Sequence, residues 1–327
     1  MIVLMALPIV ISCLLAASGR HLGRVLPPAT AVRLLSAAAV LTALSTGCVL
    51  GVAGFLVIAQ APAVAAMGRW SVTSLADHQP TQLLAGGACA ALVVLLLGSA
   101  VRRLLVAGGD LARSAAACRR LGHGAYGLVI IEDDEPDAYA LPGVTGRVVI
   151  STAMLRALDP DERRVLLAHE AAHLRHRHHL YALLADLGAA ANPLLRPLAV
   201  AVRDAIERWA DEDAADEVAD RRLAARAIAR AGLARSAVTS SRSLGGPALG
   251  AADTRVSDRT RALLAPRLRP RRVLAAGICA LVLCGGVAAA ATASATEHRF
   301  EVARQVYGHT ALVRTQGAET FVGLGRI

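Results

Sequence analysis

Apolar residues in this chain gather into four long runs with few charges inside them: about Ile2 to Ser18, Leu34 to Met67, Leu83 to Val101 and Val273 to Ala291. Each suits a helix that crosses a bilayer, which needs about 20 mostly apolar residues. Gly and Ala are frequent inside the runs and permit close helix packing. Between the third and fourth runs the pattern changes. Gly127 to Ile131, Ala138 to Leu141 and Arg147 to Ile150 read as strands, with Pro142-Gly143 as a turn. A helix is expected to start at Asp159-Pro160-Asp161-Glu162, where Asp159 can cap it and Pro160 suits its first turn. Asn192-Pro193 breaks the helical pattern, and a second helix runs on to about Val218. Ser236 to Asp258, rich in Ser, Gly and Thr, is expected to be a flexible linker. Leu180 to Val202 is ambiguous. It is apolar enough for a further span, which would carry Arg203 to Asp220 across the membrane; the other reading is a core helix pair or a shallow hairpin.

Composition strengthens the membrane reading. The apolar fraction is 55% and the mean hydropathy +0.50, above an ordinary soluble domain. The net charge is +10, and all 35 basic side chains are Arg. Much of the Arg flanks the apolar runs, where it sets orientation. Arg20, Arg24 and Arg33 follow the first run, Arg102, Arg103, Arg113, Arg119 and Arg120 follow the third, and Arg267, Arg269, Arg271 and Arg272 precede the fourth. The loop between the second and third carries only Arg69, Asp77 and His78. The expected organisation is therefore transmembrane helices 1–3 in residues 1–101, a cytoplasmic domain in 102–272 with its core at about 125–220, transmembrane helix 4 in 273–293, and a short extracytoplasmic tail in 294–327. Membrane lipid is an expected partner of the Arg-rich ends. Direct nucleic-acid binding is not expected, because no basic patch is interleaved with aromatics. Six Cys without a C-x-x-C read as small apolar fillers.

Chemistry enters at His169-Glu170-Ala171-Ala172-His173, an H-E-x-x-H signature of zinc metallopeptidases. On a helix, residues i and i+4 share a face, so both imidazoles can reach one Zn2+ ion. Glu170 is the candidate general base. A catalytic zinc needs a third protein ligand and one open position. Glu207 is the best candidate, because folding back at Asn192-Pro193 brings it within about two turns of His173 at about 1.5 Å per residue. Asp211, one turn on, can accept the free N–H of a ligand histidine. His176, His178 and His179 read as a hydrated or headgroup-facing basic cluster, with an accessory metal site as the alternative. Arg208 and His178 are candidate oxyanion donors, and the strand Arg147 to Ile150 is a candidate for pairing with an extended substrate.

The string Ile150 to Leu158, then Asp161-Glu162, His169 to His173 and Arg177-His178, resembles the HtpX and CAAX-prenyl-endopeptidase membrane metalloproteases. Asn192-Pro193 followed by Glu207-x-x-x-Asp211, and the four-span layout, resemble the BlaR/MecR-type antirepressor metallopeptidases. The two groups are related gluzincins. The resemblance implies a mainly α membrane protein with about four transmembrane helices and a cytoplasmic α+β gluzincin-type zinc metalloprotease domain between the third and fourth. It implies His169, His173 and Glu207 as zinc ligands, Glu170 as the base and Asp211 behind the ligands. Two departures stand out. BlaR/MecR-type proteins usually carry Asp where this chain has His178. Their penicillin-binding sensor needs a Ser-x-x-Lys nucleophile, and the chain has no Lys, so covalent β-lactam binding is not expected. The expected activity is zinc-dependent endopeptidase cleavage of a protein or peptide, such as a cytoplasmic transcriptional repressor. The alternatives are quality control of membrane proteins, as for HtpX, and a non-enzymatic zinc-binding receptor.

Overall fold

The computed structural model describes the backbone of residues 2–75, 80–120, 127–143, 146–242 and 247–324, and the side chains of 3–75, 83–120, 127–143, 146–237 and 256–310. It is mostly helical. Helices α1 (Ile2–Val25), α5 (Pro80–Arg120) and α12 (Arg272–Leu324) contain the first, third and fourth apolar runs, and α2 (Pro28–Ile58) holds the second as far as Ile58, its remainder continuing beyond the helix. Their segments Val3–Val25, Pro28–Ile58, Leu83–Arg120 and Arg272–Thr310 are long and apolar enough to cross a membrane. Short helices α3 (Pro62–Gly68) and α4 (Val72–Leu75) follow α2, where Trp70 donates its indole N–H to the Ala59 carbonyl and packs on Phe300 of α12.

Strands β1 (Leu128–Ile131), β2 (Ala138–Leu141) and β3 (Arg147–Ser151) form one sheet in the order β1-β3-β2. β1 runs parallel to β3 and β2 antiparallel to it, with Val149 opposite both Val129 and Tyr139. All five residues of β3 are buried. The expectation that β3 offers its backbone to a substrate is therefore corrected, because both of its edges are already paired. Among the described residues β1 and β2 are the outer strands, and each leaves one edge unpaired.

Helix α6 (Thr152–Ala157) leads into α7 (Pro160–Arg175), which starts where local chemistry dictates. Asp159 accepts from the Glu162 N–H, Glu162 accepts from the Asp159 N–H, and Pro160 occupies the first turn. Glu162 is fully buried, and Arg226 and Arg230 of α10 (Arg221–Arg242) both donate to its carboxylate. The cap of α7 is thus also the anchor of α10.

Helix α8 (His178–Ala191), the 3-10 turn Pro193–Leu195 and α9 (Arg196–Val218) form a hairpin, which settles the ambiguous segment Leu180 to Val202. The 14 residues of α8 are too few to span a bilayer. The hairpin tip instead packs among the long apolar helices α1, α2 and α12. Asn192 donates to Ser12 Oγ at 2.8 Å and Thr46 Oγ1 at 3.3 Å, and Ser12 sits near the middle of the apolar segment of α1. Leu195, Leu198 and Val202 share one core with Ile11 and Leu15 of α1, Leu35 of α2 and Ile278 of α12. The helices approach closely at Gly188, where a Cβ would meet the Ala39 backbone at 2.9 Å. The buried carboxylate of Asp186 takes Arg103 from α5 and Arg203 from α9, satisfying a charge that would otherwise be costly there.

The stretch Ser236 to Asp258 is not the expected linker. α10 continues to Arg242 and α11 (Pro247–Leu264) follows it; the backbone is described throughout except at 243–246. Leu263 of α11 is buried with Ala224, Ala227 and Ile228 of α10, and this packing overrides the polar composition.

Candidate metal centre

Helix α7 turns one face towards α9, and that face carries His169, Glu170 and His173. His169 and Glu170 are buried, at 4% and 6% exposure. The Nε2 atoms of His169 and His173 lie 3.3 Å apart. Glu207 on α9 brings its two carboxylate oxygens to 3.7 Å from His169 Nε2 and 3.8 Å from His173 Nε2. Tetrahedral ligands at about 2.0–2.1 Å from a zinc ion are separated by about 3.3–3.4 Å. The three side chains therefore fit a metal with little adjustment, and among the described residues they are the one group of His, Cys, Asp and Glu with that geometry. The fold-back at Asn192 produces this meeting.

Behind this set, Asp211 Oδ1 lies 3.0 Å from His169 Nδ1, somewhat off the ring N–H axis. Asp211 is itself clamped by Arg259 of α11, whose Nε donates to Oδ2 at 2.8 Å and whose Nη2 donates to Oδ1 at 2.6 Å. Arg259 Nη1 also reaches Glu207 Oε2 at 3.1 Å. No motif marked Arg259, which directly follows the stretch with linker-like composition. Two facing acids, Glu207 and Asp211, on one helical turn were the available sign that a cation was needed.

These contacts set the protonation of the metal-free site. Burial alone lowers the His169 pKa, but hydrogen bonds to Asp211 and then Glu207 outweigh it and raise it to about 9. His173 is lowered to about 4 by burial and then by the His169 charge. Burial raises the Glu207 carboxyl, but the His169 hydrogen bond and the Arg259 charge reverse that and hold it low. For Glu170 burial dominates and its pKa is raised. One histidine therefore holds a proton against two carboxylates, and the other is neutral.

The expected basic cluster is only partly as read. His178 is buried at 2% exposure rather than hydrated, and its Nδ1 lies 3.0 Å from His173 Nδ1. His176 pairs with Asp213 Oδ2 at 2.6 Å. Neither oxyanion candidate is free for that role in this arrangement. His178 sits behind the His173 ring, on the side away from Nε2. Arg208 Nη1 donates to the Gly23 carbonyl of α1 at 2.7 Å, although both Arg208 and His178 line the cavity.

The cavity beside the cluster measures about 1330 Å³. Its lining includes Glu170, His173 and Glu207, Ala140 and Pro142 at the end of β2, and Arg20 and Arg24 of α1. Residues 109–208 match the family model of peptidase family M48. That match takes in the later part of α5, the sheet, α6–α8 and the first half of α9, and it ends one residue past Glu207, short of Asp211 and Arg259. No curated protein and no solved structure matches the chain. The M48 match and the four apolar helices support a membrane-associated metallopeptidase.

Proposed function

We propose that this chain is an integral-membrane, zinc-dependent endopeptidase with its catalytic part on the cytoplasmic side. The convergence of His169, His173 and Glu207 beside Glu170, with His173, Glu207 and Glu170 lining an open cavity, carries the proposal. His169 Nε2, His173 Nε2 and Glu207 would hold the ion, and a His/His/Glu set favours zinc. Bound there, the metal supplies a Lewis acid for the scissile carbonyl and lowers the pKa of water. Glu170 takes the proton of the attacking water and delivers it to the leaving amine, and burial that raises its pKa favours the first transfer. Asp211 orients His169, and Arg259 holds Asp211 and Glu207 in register. An extended substrate adds to the free edge of β2, whose Ala140 and following Pro142 border the cavity. A non-enzymatic zinc receptor would have no use for a buried carboxylate at Glu170.

The substrate is a protein or peptide. Regulated cleavage of a cytoplasmic repressor is the first reading, supported by Asn192-Pro193 and Glu207-x-x-x-Asp211 in the pattern of the antirepressor metallopeptidases. Quality control of membrane proteins is the second, favoured by His178, where those antirepressor proteins usually carry Asp. The test is cleavage of casein by the full chain in vesicles. Activity that a chelator removes and zinc restores is expected; activity indifferent to chelator overturns the proposal.

A further inference from the structure

The two histidines of the cluster are oriented by different chemistry. His169 has a carboxylate behind it, Asp211, neutralised by Arg259. His173 has an imidazole: His178 Nδ1 lies 3.0 Å from His173 Nδ1, with the rings nearly perpendicular at 85°. For two ring nitrogens at that distance to bond, one must carry the hydrogen and the other must accept. A metal on His173 Nε2 requires the hydrogen on Nδ1, so His178 Nδ1 accepts and the His178 hydrogen sits on Nε2. That Nε2 is buried and has no hydrogen-bond partner.

We infer that His178 is a positioning residue, a neutral acceptor that fixes the tautomer and ring direction of His173 for metal binding. The inference rests on the metallopeptidase reading of the same cluster. His178 is in turn held by packing. Its ring centroid lies 4.9 Å from that of Trp209, which stacks on His176 at 4.4 Å and carries the Arg33 guanidinium 4.8 Å above its ring. Trp209 lies on α9 two residues after Glu207, so the wall that holds His178 moves with the third ligand. An imidazole acceptor leaves the site one negative charge short of what a carboxylate at that position would give, and a metal held there remains more electrophilic.

Packing and positioning predict opposite rankings of two substitutions. His178→Phe keeps a ring for the Trp209 stack but removes the acceptor. His178→Asn gives up most of the ring but keeps an acceptor atom near the Nδ1 position. The measurement is zinc affinity of the purified full chain, by competition with a chromophoric chelator, together with the visible absorption of the cobalt-loaded protein. Loss of a group that orients a ligand typically weakens metal binding about 10–100-fold. His178→Phe should lose affinity in that range with a changed cobalt spectrum, and His178→Asn should stay within about threefold of wild type on that scale. A His178→Phe protein that binds like wild type, or an Asn variant as weak as the Phe variant, overturns the inference. A wild-type protein that takes up no zinc overturns the metallopeptidase reading and this inference together.

Discussion

Arg259 and Asp211, 48 positions apart in the chain, meet through two hydrogen bonds of 2.6 and 2.8 Å beside His169, whose Nε2 lies 3.5 Å from Arg259 Nη2. The same guanidinium touches Glu207 at 3.1 Å, so one cation ties α11 to both acids of α9 that face the cluster. Asp211 is 1% exposed, and a carboxylate buried to that degree needs a partner. Removing one member of a buried ion pair typically costs about 3–5 kcal/mol. Arg259→Met should lower the melting temperature of the full chain in detergent and weaken zinc binding at least tenfold, about 1.4 kcal/mol or more at the metal. Arg259→Lys should recover only part of the loss, because an ammonium cannot make the paired contact. Unchanged melting and zinc affinity in Arg259→Met would show that the clamp is dispensable.

Metal uptake should depend on pH through His169. Its pKa is raised to about 9, whereas that of His173 is lowered to about 4. At pH 7 the metal must therefore displace a proton from His169 and none from His173. Affinity should climb about tenfold per pH unit between roughly 6 and 8 and flatten towards 9. The sign for folding is opposite. A raised pKa in the folded state stabilises the metal-free protein fully below the ordinary value of 6.5, and that contribution is lost as pH rises through about 9. Calorimetric titration with zinc in buffers of different ionisation enthalpy should report about one proton released per metal at pH 7. No release would show that His169 is neutral before the metal arrives.

Glu162 should be a stability residue without a part in the chemistry. It closes the capping box of α7 and receives Arg226 and Arg230 while fully buried. Glu162→Ala removes all of these at once and should cost about 3–5 kcal/mol in chain stability. Glu162→Gln keeps an acceptor for the cap and should lie between that variant and wild type. Thermal melting of the full chain gives the ranking; equal melting of all three proteins would contradict it.

At the hairpin tip, Asn192 couples α8 and α9 to α1 and α2 through Ser12 and Thr46. Hydrogen bonds between helices in an apolar surround are worth about 0.6–2 kcal/mol each. Asn192→Leu should destabilise the chain by about 1–3 kcal/mol and lower zinc affinity, because the same hairpin sets the approach of Glu207. Loss of stability with unchanged zinc affinity would mean that the tip and the cluster are independent.

How much of this could be read from the chain depended on range. Helix α7 was legible because Asp159, Pro160 and Glu162 act on their own turn. The approach of Glu207 to His173 was legible because a helix break and two known rises fix a distance. The four apolar helices were legible from length alone. Arg259 was not, since its partners are brought to it by the return of α11 along α10, which nothing local encodes. The centrality of β3 was not legible either: apolar alternation does not name the neighbouring strand, and four-residue strands carry little of it. The hairpin stayed ambiguous because its apolar surface serves equally well against lipid and against α1 and α2. His178 was masked by its company, one buried histidine beside two others.

The central claim is that Glu170 performs the chemistry at a metal held by His169, His173 and Glu207. The most direct measurement compares casein cleavage and zinc content in vesicles carrying wild type or Glu170→Gln. Equal zinc in the two proteins and at least a thousandfold slower cleavage by the variant are expected, about 4 kcal/mol at the barrier. Full cleavage by a zinc-loaded Glu170→Gln protein would contradict it.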